Sequence, residues 1–446
     1  MSKTIAAIST ALGVGGIAVI RLSGDNAIEI ADSIFTGDIQ TAKSHSVHYG
    51  FIKLRDEFID EVLVTVMKAP RTFTREDVVE ISTHGGIAVT NRVLDAVISA
   101  GAVHAQAGEF TKRAFLNGRI DLSKAEAVID LINSENTMAE QNALSQLRGA
   151  LSVSIDNVRQ KLVQLAAHMQ VSIDYPDEDL EELTIQDIMQ QMNLALTKIK
   201  ELISSADNGR IIKDGIRTVI AGKPNVGKST LMNKLSGFEK AIVTDVAGTT
   251  RDVIEENILL SGLPIKLIDT AGIHETEDVV EKIGVDRSVK SIDSADLVIV
   301  LINGNEPTDD EDKTIIEKVS SKKHIIVANR SDEGVIPENS ELADVYISAK
   351  TGQGIDILTN RIKQLYNLGE ISSKQGEIIT NMRHKTALIN ARDALERALD
   401  TLDCSMPQDL AAMDLNIAID ALGEITGATV SDDIVSAVFK NFCVGK

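Results

Sequence analysis

The 446-residue chain contains no tryptophan, and aromatic residues make up 3% of it, so its cores must be built from Ile, Leu, Val and Ala. Only two cysteines occur, Cys404 and Cys443, far apart in sequence. They argue against a disulfide scaffold and fit a reducing, cytoplasmic compartment. No apolar run approaches the roughly 18 residues that a membrane span needs; the densest, Leu297 to Ile302, is strand-sized. Basic residues are outnumbered, 45 against 66 acidic, for a net charge of −21. That argues against a surface that grips phosphate backbones everywhere, while leaving room for a local basic patch or a partner that supplies one. The histidines His45, His48, His84 and His104 lack metal-ligand spacing.

What is present reads as a folded, multidomain protein. Apolar content is 43% and charged content 25%, and at roughly 150 residues per domain the length suggests about three domains. Lys3 and the apolar stretch from Ile5 to Ile20 superficially resemble a secretory leader. However, Gly13, Gly15 and Gly16 interrupt that stretch, and Arg21 follows without a persuasive cleavage site. Two short strands, Ile5–Ile8 and Ile17–Ile20, around a glycine turn fit better. The same residues match Gly-x-Gly-x-x-Ala at Gly13, Gly15 and Ala18. A dinucleotide turn requires a helix next, and here a strand is expected.

Residues 1–118 mix β-rich runs (Val62–Val66, Val78–Ile81) with helical segments, an α+β pattern. Residues 119–210 are helical, with Ala125, Val128, Ile129 and Ile132 at helical spacing. Pro176, in an acidic run from Asp174 to Glu182, marks a break between helices and reads as a solvated loop. Between 211 and 371, strand-like runs (Ile216–Ala221, Ile265–Ile268, Leu297–Ile302, Ile325–Ala328, Val345–Ile347) alternate with helical segments. This predicts a mostly parallel sheet with helices on both faces. Residues 372–446 are helical again. The expectation is an N-terminal α+β domain and a helical domain into which an α/β domain is inserted.

Gly222-Lys223-Pro224-Asn225-Val226-Gly227-Lys228-Ser229 satisfies the phosphate-binding pattern G-x-x-x-x-G-K-[ST]. It follows the strand Ile216–Ala221, and a helix can open near Thr230. Glycines admit backbone N–H groups to the phosphates, and the helix start adds positive potential. Lys228 would reach the β- and γ-phosphates, and the Ser229 hydroxyl would bind Mg²⁺. Asp269-Thr270-Ala271-Gly272, after the strand Ile265–Ile268, would place a carboxylate toward the Mg²⁺ shell and a glycine N–H toward the γ-phosphate. Asn329-Arg330-Ser331-Asp332 ends the strand Ile325–Ala328. Asp332 can accept from the ring N–H and exocyclic amine of guanine, a donor pair adenine lacks. Ser348-Ala349-Lys350 would supply backbone contacts to the base.

These elements, in this order, resemble the GTPase superfamily of translation-factor relatives. That family carries Asn-Lys-x-Asp, and Arg330 here replaces the lysine; the two are not interchangeable. Ile273 stands where some GTPases carry a water-positioning glutamine. Glu275, Glu277 and Glu281 become candidates for that task, and Arg251 lies in the expected switch segment.

Further stretches narrow the resemblance. They are Val19-Ile20-Arg21-Leu22-Ser23-Gly24, Thr83-His84-Gly85-Gly86 and Phe115-Leu116-Asn117-Gly118-Arg119-Ile120-Asp121-Leu122. Thr244 to Asp252 (TDVAGTTRD), Gly423-Glu424-Ile425-Thr426-Gly427 and the terminal Phe442-Cys443-Val444-Gly445-Lys446 complete the set. Together they closely resemble the MnmE (TrmE) family of tRNA-modification GTPases, over essentially the whole chain.

The resemblance implies a tetrahydrofolate-binding and dimerising N-terminal domain (1–118), a helical domain (119–210 and 372–446) and an inserted GTPase domain (211–371). It implies a homodimer, and a heterotetramer with the FAD protein MnmG. Together they would install an aminomethyl or carboxymethylaminomethyl group on C5 of the wobble uridine of certain tRNAs, with a folate as one-carbon donor. It also implies a potassium ion in place of an arginine finger, held at Asn225, Thr244, Val246 and Thr249. Thr250 would join Ser229 at Mg²⁺, Glu281 would orient the attacking water, and residues 244–250, including Asp245, Ala247 and Gly248, would line the GTP. Arg21, Glu80, Arg119 and Lys446 would hold the folate, and Cys443 would act at a neighbouring site from a mobile tail. The rival expectation is a ribosome-assembly GTPase switch, which would need neither folate nor terminal cysteine. A scaffold that binds nucleotide without turnover is a third.

Overall fold

Alternating apolar residues in the first hundred positions produce a sheet with its larger core on one face and a smaller cluster on the other. In the computed structural model, which describes residues 3–55, 57–174, 184–237, 255–260, 262–268, 292–366, 377–440 and 442–445, the chain divides into two units. One comprises 1–129, 155–159 and 419–446, the other 130–154 and 160–418.

The first unit contains β1 (Ile5–Ile8), β2 (Ile17–Ser23), α1 (Ala27–Ile34), β3 (Ser46–Leu54), β4 (Glu57–Met67), β5 (Val78–His84), α2 (Ile87–Ser99) and β6 (Val103–His104). The sheet order is β3-β4-β5-β2-β1-β6, antiparallel except where β1 meets β6. Ile20, Leu22, Val64, Val66, Val79 and Ile81 share a core with residues of α1 and α2. Because side chains alternate along a strand, the cross-strand partners Arg21 and Glu80 fall on the opposite face. There Ile5 and Ala7 pack with Phe110 of α3 (Glu109–Leu116). The strand expected after the glycine turn is β2, and no helix follows that turn. A hydrogen bond from Gly15 N–H to Gly85 C=O (3.0 Å) ties the turn to the end of β5. A Cβ on Gly85 would collide with the Gly15 carbonyl. Helix α4 (Leu122–Ile132) follows.

The second unit holds α5 (Thr137–Leu147), most of α6 (Ala150–Asp174) and α7 (Ile185–Asp214). Thr184 and Asp187 form a reciprocal capping box that starts α7; most of the acidic run before it lies outside the described residues. Next come β7 (Ile216–Ala221), α8 (Lys228–Ser236), β8 (Glu255–Leu260), β9 (Leu263–Ile268), β10 (Leu297–Asn303), α9 (Asp310–Val319), β11 (His324–Asn329), α10 (Pro337–Leu342), β12 (Val345–Tyr346) and α11 (Ile355–Leu365). The sheet order is β12-β11-β10-β7-β9-β8, parallel except for β8. Every residue of β10 is buried, as a central strand covered on both faces requires. Separate apolar cores occupy the two faces.

The long α7 runs past the expected start of the GTPase domain at 211. Ile211 joins the core of the second sheet, whereas Ile212 packs with Ala139 and Ile378. Arg210 holds Asp296 through two guanidinium nitrogens (2.6 and 3.2 Å), and the Tyr366 hydroxyl donates to the Asp296 carbonyl (2.7 Å). Helices α12 (Met382–Asp403) and α13 (Gln408–Thr426) follow.

The chain then re-enters the first unit. Helix α14 (Asp432–Lys440) contributes Val435 and Phe439, and Phe442 follows, to a cluster with Leu122 and Phe115. Gly427, at φ +91°, lies so close to the Phe115 ring that a Cβ would sit 2.8 Å from it. Among the described residues no helix is long and apolar enough to cross a membrane.

Candidate functional site

The phosphate-binding pattern folds as a loop between β7 and α8, which begins at Lys228. Two glycines are required by geometry. Gly222 has φ +148° and faces the Leu301 carbonyl of β10, while Gly227 has φ +100° and lies against the Asn329 side chain. A Cβ at either would collide, so the loop backbone can lie where side chains cannot. Asn225, at φ +64°, also adopts the left-handed region. The Lys228 ammonium donates to the carbonyls of Gly222 (2.6 Å) and Lys223 (2.8 Å). Burial lowers its pKa below the ordinary lysine value, opposed by the Glu311 charge.

The end of β11 is tied to this loop. Asn329 donates through Nδ2 to the Val226 carbonyl (2.8 Å) and accepts at Oδ1 from the Ala349 N–H (2.9 Å). One buried amide thus joins the phosphate loop to the Ser348-Ala349-Lys350 segment. Arg330, at φ +62°, donates to the Asn225 carbonyl at 3.1 Å. Asp332 is exposed on the single turn of 3₁₀ helix that follows. Ser348 and Ala349 are buried, and Lys350 is exposed. The structure therefore brings together Asn225, Val226, Gly227, Lys228, Ser229 and Thr230 with Asn329, Arg330, Asp332, Ser348, Ala349 and Lys350. Thr244, Asp245, Val246, Ala247, Gly248, Thr249, Thr250, Asp269, Thr270, Ala271, Gly272 and Glu281 lie outside the described residues, as does Lys446. Among the described residues no group of three or more His, Cys, Asp and Glu side chains is placed to hold a metal.

A second constellation lies in the first unit. Arg21 donates from Nε to Glu80 Oε1 (2.8 Å), and its terminal nitrogen meets the same oxygen at 2.8 Å. Its other terminal nitrogen reaches the Gly445 carbonyl at 3.4 Å, and the Ser9 hydroxyl donates to that carbonyl at 3.0 Å. The Arg21 guanidinium lies 6.0 Å from the Phe73 ring centre, and that of Arg119 lies 4.8 Å from it. Partial burial and the neighbouring Arg75 charge lower the Arg119 pKa from the ordinary arginine value.

The carboxyl-terminal segment is fastened along this surface. Val444 pairs with Ala107 in an antiparallel bridge, and the Gly108 N–H donates to the Cys443 carbonyl (3.2 Å). Gly445, at φ +94°, sits where a Cβ would strike the Ile8 carbonyl. Cys443 is exposed between these fastenings. Backbone contacts thus hold the segment on both sides of Cys443.

Reasoning on sequence missed Phe73, Ser9 and Lys223. Phe73 and Ser9 carry no pattern of their own. Lys223 had a signal in the acidic run Asp309 to Asp312, to which it pairs.

Residues 4–119 match the family model for the GTP-binding protein TrmE N-terminus, and residues 122–443 match that for the MnmE helical domain. The chain is 49% identical to the tRNA modification GTPase MnmE of Acetivibrio thermocellus, covering 99% of both chains. It is 46% identical to the protein of that name from Streptococcus thermophilus, over 99% of this chain and 98% of the other. Among solved structures, the G domain of the T. maritima FeoB iron transporter is 29% identical, covering 34% of this chain and 98% of that one with a TM-score of 0.26.

Proposed function

The chain belongs to the MnmE family of tRNA modification GTPases, and from that premise we propose that it couples GTP hydrolysis to folate-dependent modification of the wobble uridine. In this reading it acts as a homodimer with the FAD protein MnmG, adding an aminomethyl or carboxymethylaminomethyl group to C5. The observation that carries the reading is the second constellation. An arginine and a glutamate on one sheet face are joined there by the carboxyl-terminal Cys-Val-Gly backbone.

Both Arg21 contacts with Glu80 fall on Oε1, so Oε2 is available to accept from the amide-like edge of a pterin. Arg119, over Phe73, and Lys446 suit the glutamate tail of a folate. The exposed thiol of Cys443 then stands two residues along the chain from the carbonyl that Arg21 contacts.

At the nucleotide, Asp332 accepts from guanine, and the loop amides and Lys228 bind the phosphates. The close-packed glycines of the loop fit a polyphosphate, because a main chain without Cβ atoms offers its N–H groups directly. Ser229 and Thr250 would hold Mg²⁺. Asn225, with Thr244, Val246 and Thr249, would hold K⁺, which supplies positive charge where an arginine finger would act. Glu281 orients the attacking water. Asp269, Thr270, Ala271 and Gly272 complete the γ-phosphate end.

The deciding experiment is mass spectrometry of tRNA nucleosides from cells lacking the protein, complemented with wild type or Cys443→Ser. Loss of the C5-modified uridine, restored by wild type and not by the serine variant, supports the reading. A normal nucleoside profile without the protein overturns it in favour of a GTPase switch that carries out no modification.

A further inference from the structure

The side chain of Lys223, the second residue of the phosphate loop, has no task in the site described so far. Its ammonium lies 2.8 Å from Asp309 Oδ2 and 2.7 Å from Asp312 Oδ2. Both carboxylates belong to the start of α9, where Asp309 Oδ1 accepts from the N–H groups of Glu311 and Asp312 at 3.1 Å. Asp310 and Glu311 lie in the same turn. The Asp312 side chain is only 4% exposed, and its Oδ1 has no hydrogen-bond partner. Its Oδ2 accepts from the Asp309 N–H at 3.3 Å, and the Lys223 ammonium supplies a countercharge beside it. The carbonyl of Lys223 is also one of the two that receive the Lys228 ammonium, and the Glu311 charge is felt at Lys228.

A run of four acidic residues thus begins beside a loop built to bind polyphosphate. Asp309, Asp310 and Glu311 are exposed and Asp312 alone is buried, so the run opposes an incoming anion through solvent, within about a Debye length and more strongly at low salt. The opposition grows with the ligand's charge and is larger for a nucleoside triphosphate than for a diphosphate. One ammonium placed on two of the four carboxylates offsets much of it and anchors the loop at the same point.

We propose that Lys223 is a positioning residue for the nucleotide: it neutralises the acidic start of α9 beside the phosphate loop and fixes the carbonyl that receives Lys228. It does so through Asp309, Asp312 and Lys228, without touching the phosphates.

The test uses the full chain, with fluorescent GDP and a fluorescent non-hydrolysable GTP analogue, at ~50 and ~500 mM ionic strength with K⁺ held constant and choline chloride making up the difference, where screening differs about threefold in length. Lys223→Ala is expected to weaken the triphosphate analogue about tenfold and GDP about threefold, with the gap closing at high salt, while Lys223→Arg stays near wild type. Removing the lysine leaves Asp312 buried without a countercharge, which can unfold the domain. Two further variants avoid that problem. Asp309→Asn, which keeps Lys223 and a capping side chain, should tighten the triphosphate analogue about threefold. The triple variant Lys223→Ala, Asp309→Asn, Asp312→Asn should return to within about threefold of wild type. The proposal is overturned if the triple variant binds the analogue about tenfold worse than wild type, because Lys223 would then act on the phosphate itself. It is equally overturned if Asp309→Asn leaves triphosphate affinity unchanged.

Discussion

At the scale of single residues, the nucleotide site can be examined one hydrogen bond at a time. Asp332→Asn exchanges an acceptor for a donor at the proposed guanine contact. Preference for GTP over ATP should fall by about 10³ or more, and competition binding with the two nucleotides checks it. Because Asn225 stands in the proposed K⁺ shell and Ile273 replaces a glutamine, hydrolysis should run at least about tenfold faster in K⁺ than in Na⁺. Equal steady-state rates in the two salts would remove the cation from the mechanism. His84 offers a test in the first unit. Its Nδ1 lies 2.7 Å from Asp60 Oδ1, and that hydrogen bond and the Asp60 charge raise its pKa above 6.5. A raised folded-state value means the pair favours the fold below the unfolded pKa, and this contribution fades as pH climbs through the raised one. An NMR titration should find the His84 imidazole above the ordinary value and Asp60→Asn should bring it back.

The candidate nucleotide residues stood out in the sequence because they are contiguous runs with a fixed spacing, and the structure brings together those of them that it describes. The Arg21–Glu80 pair was legible only through resemblance, since its members lie 59 positions apart and the Gly445 carbonyl 424 positions from Arg21. No periodicity links them; a β-ladder and a returning tail do.

Elements show where local rules yield to packing. Gly209 lies inside α7, where Gly→Ala ordinarily stabilises a helix by about 1 kcal/mol. Here a Cβ would run into the Ile379 carbonyl, whose segment is laid against the helix. Gly209→Ala should therefore lower the thermal midpoint rather than raise it, and scanning calorimetry reads the sign. The five expected strands of the second sheet were visible as apolar runs. β8 was not, because Glu255-Glu256-Asn257 opens it with polar residues and it pairs antiparallel at the edge. Helix α7 was legible in kind but not in extent. Its last turn serves two cores, and only the fold reveals that Ile211 and Ile212 face different ones.

At the scale of the whole molecule, the acidic balance leaves phosphate recognition to placed groups rather than to general surface charge. Truncating Ile211 removes a side chain from the nucleotide-binding core and should cost about 2–5 kcal/mol. Saturating GDP should recover about 2.7 kcal/mol when present at a hundredfold its Kd. Thermal unfolding of Ile211→Ala with and without GDP measures both. The 30 residues of α7 make a rod about 45 Å long, seated at its carboxyl end in the sheet core and clasped there by Arg210 on Asp296. An unsupported rod of this length, tilted by about 5° at the seat, would sweep its far tip through about 4 Å; packing of α7 along α12 braces it against that swing.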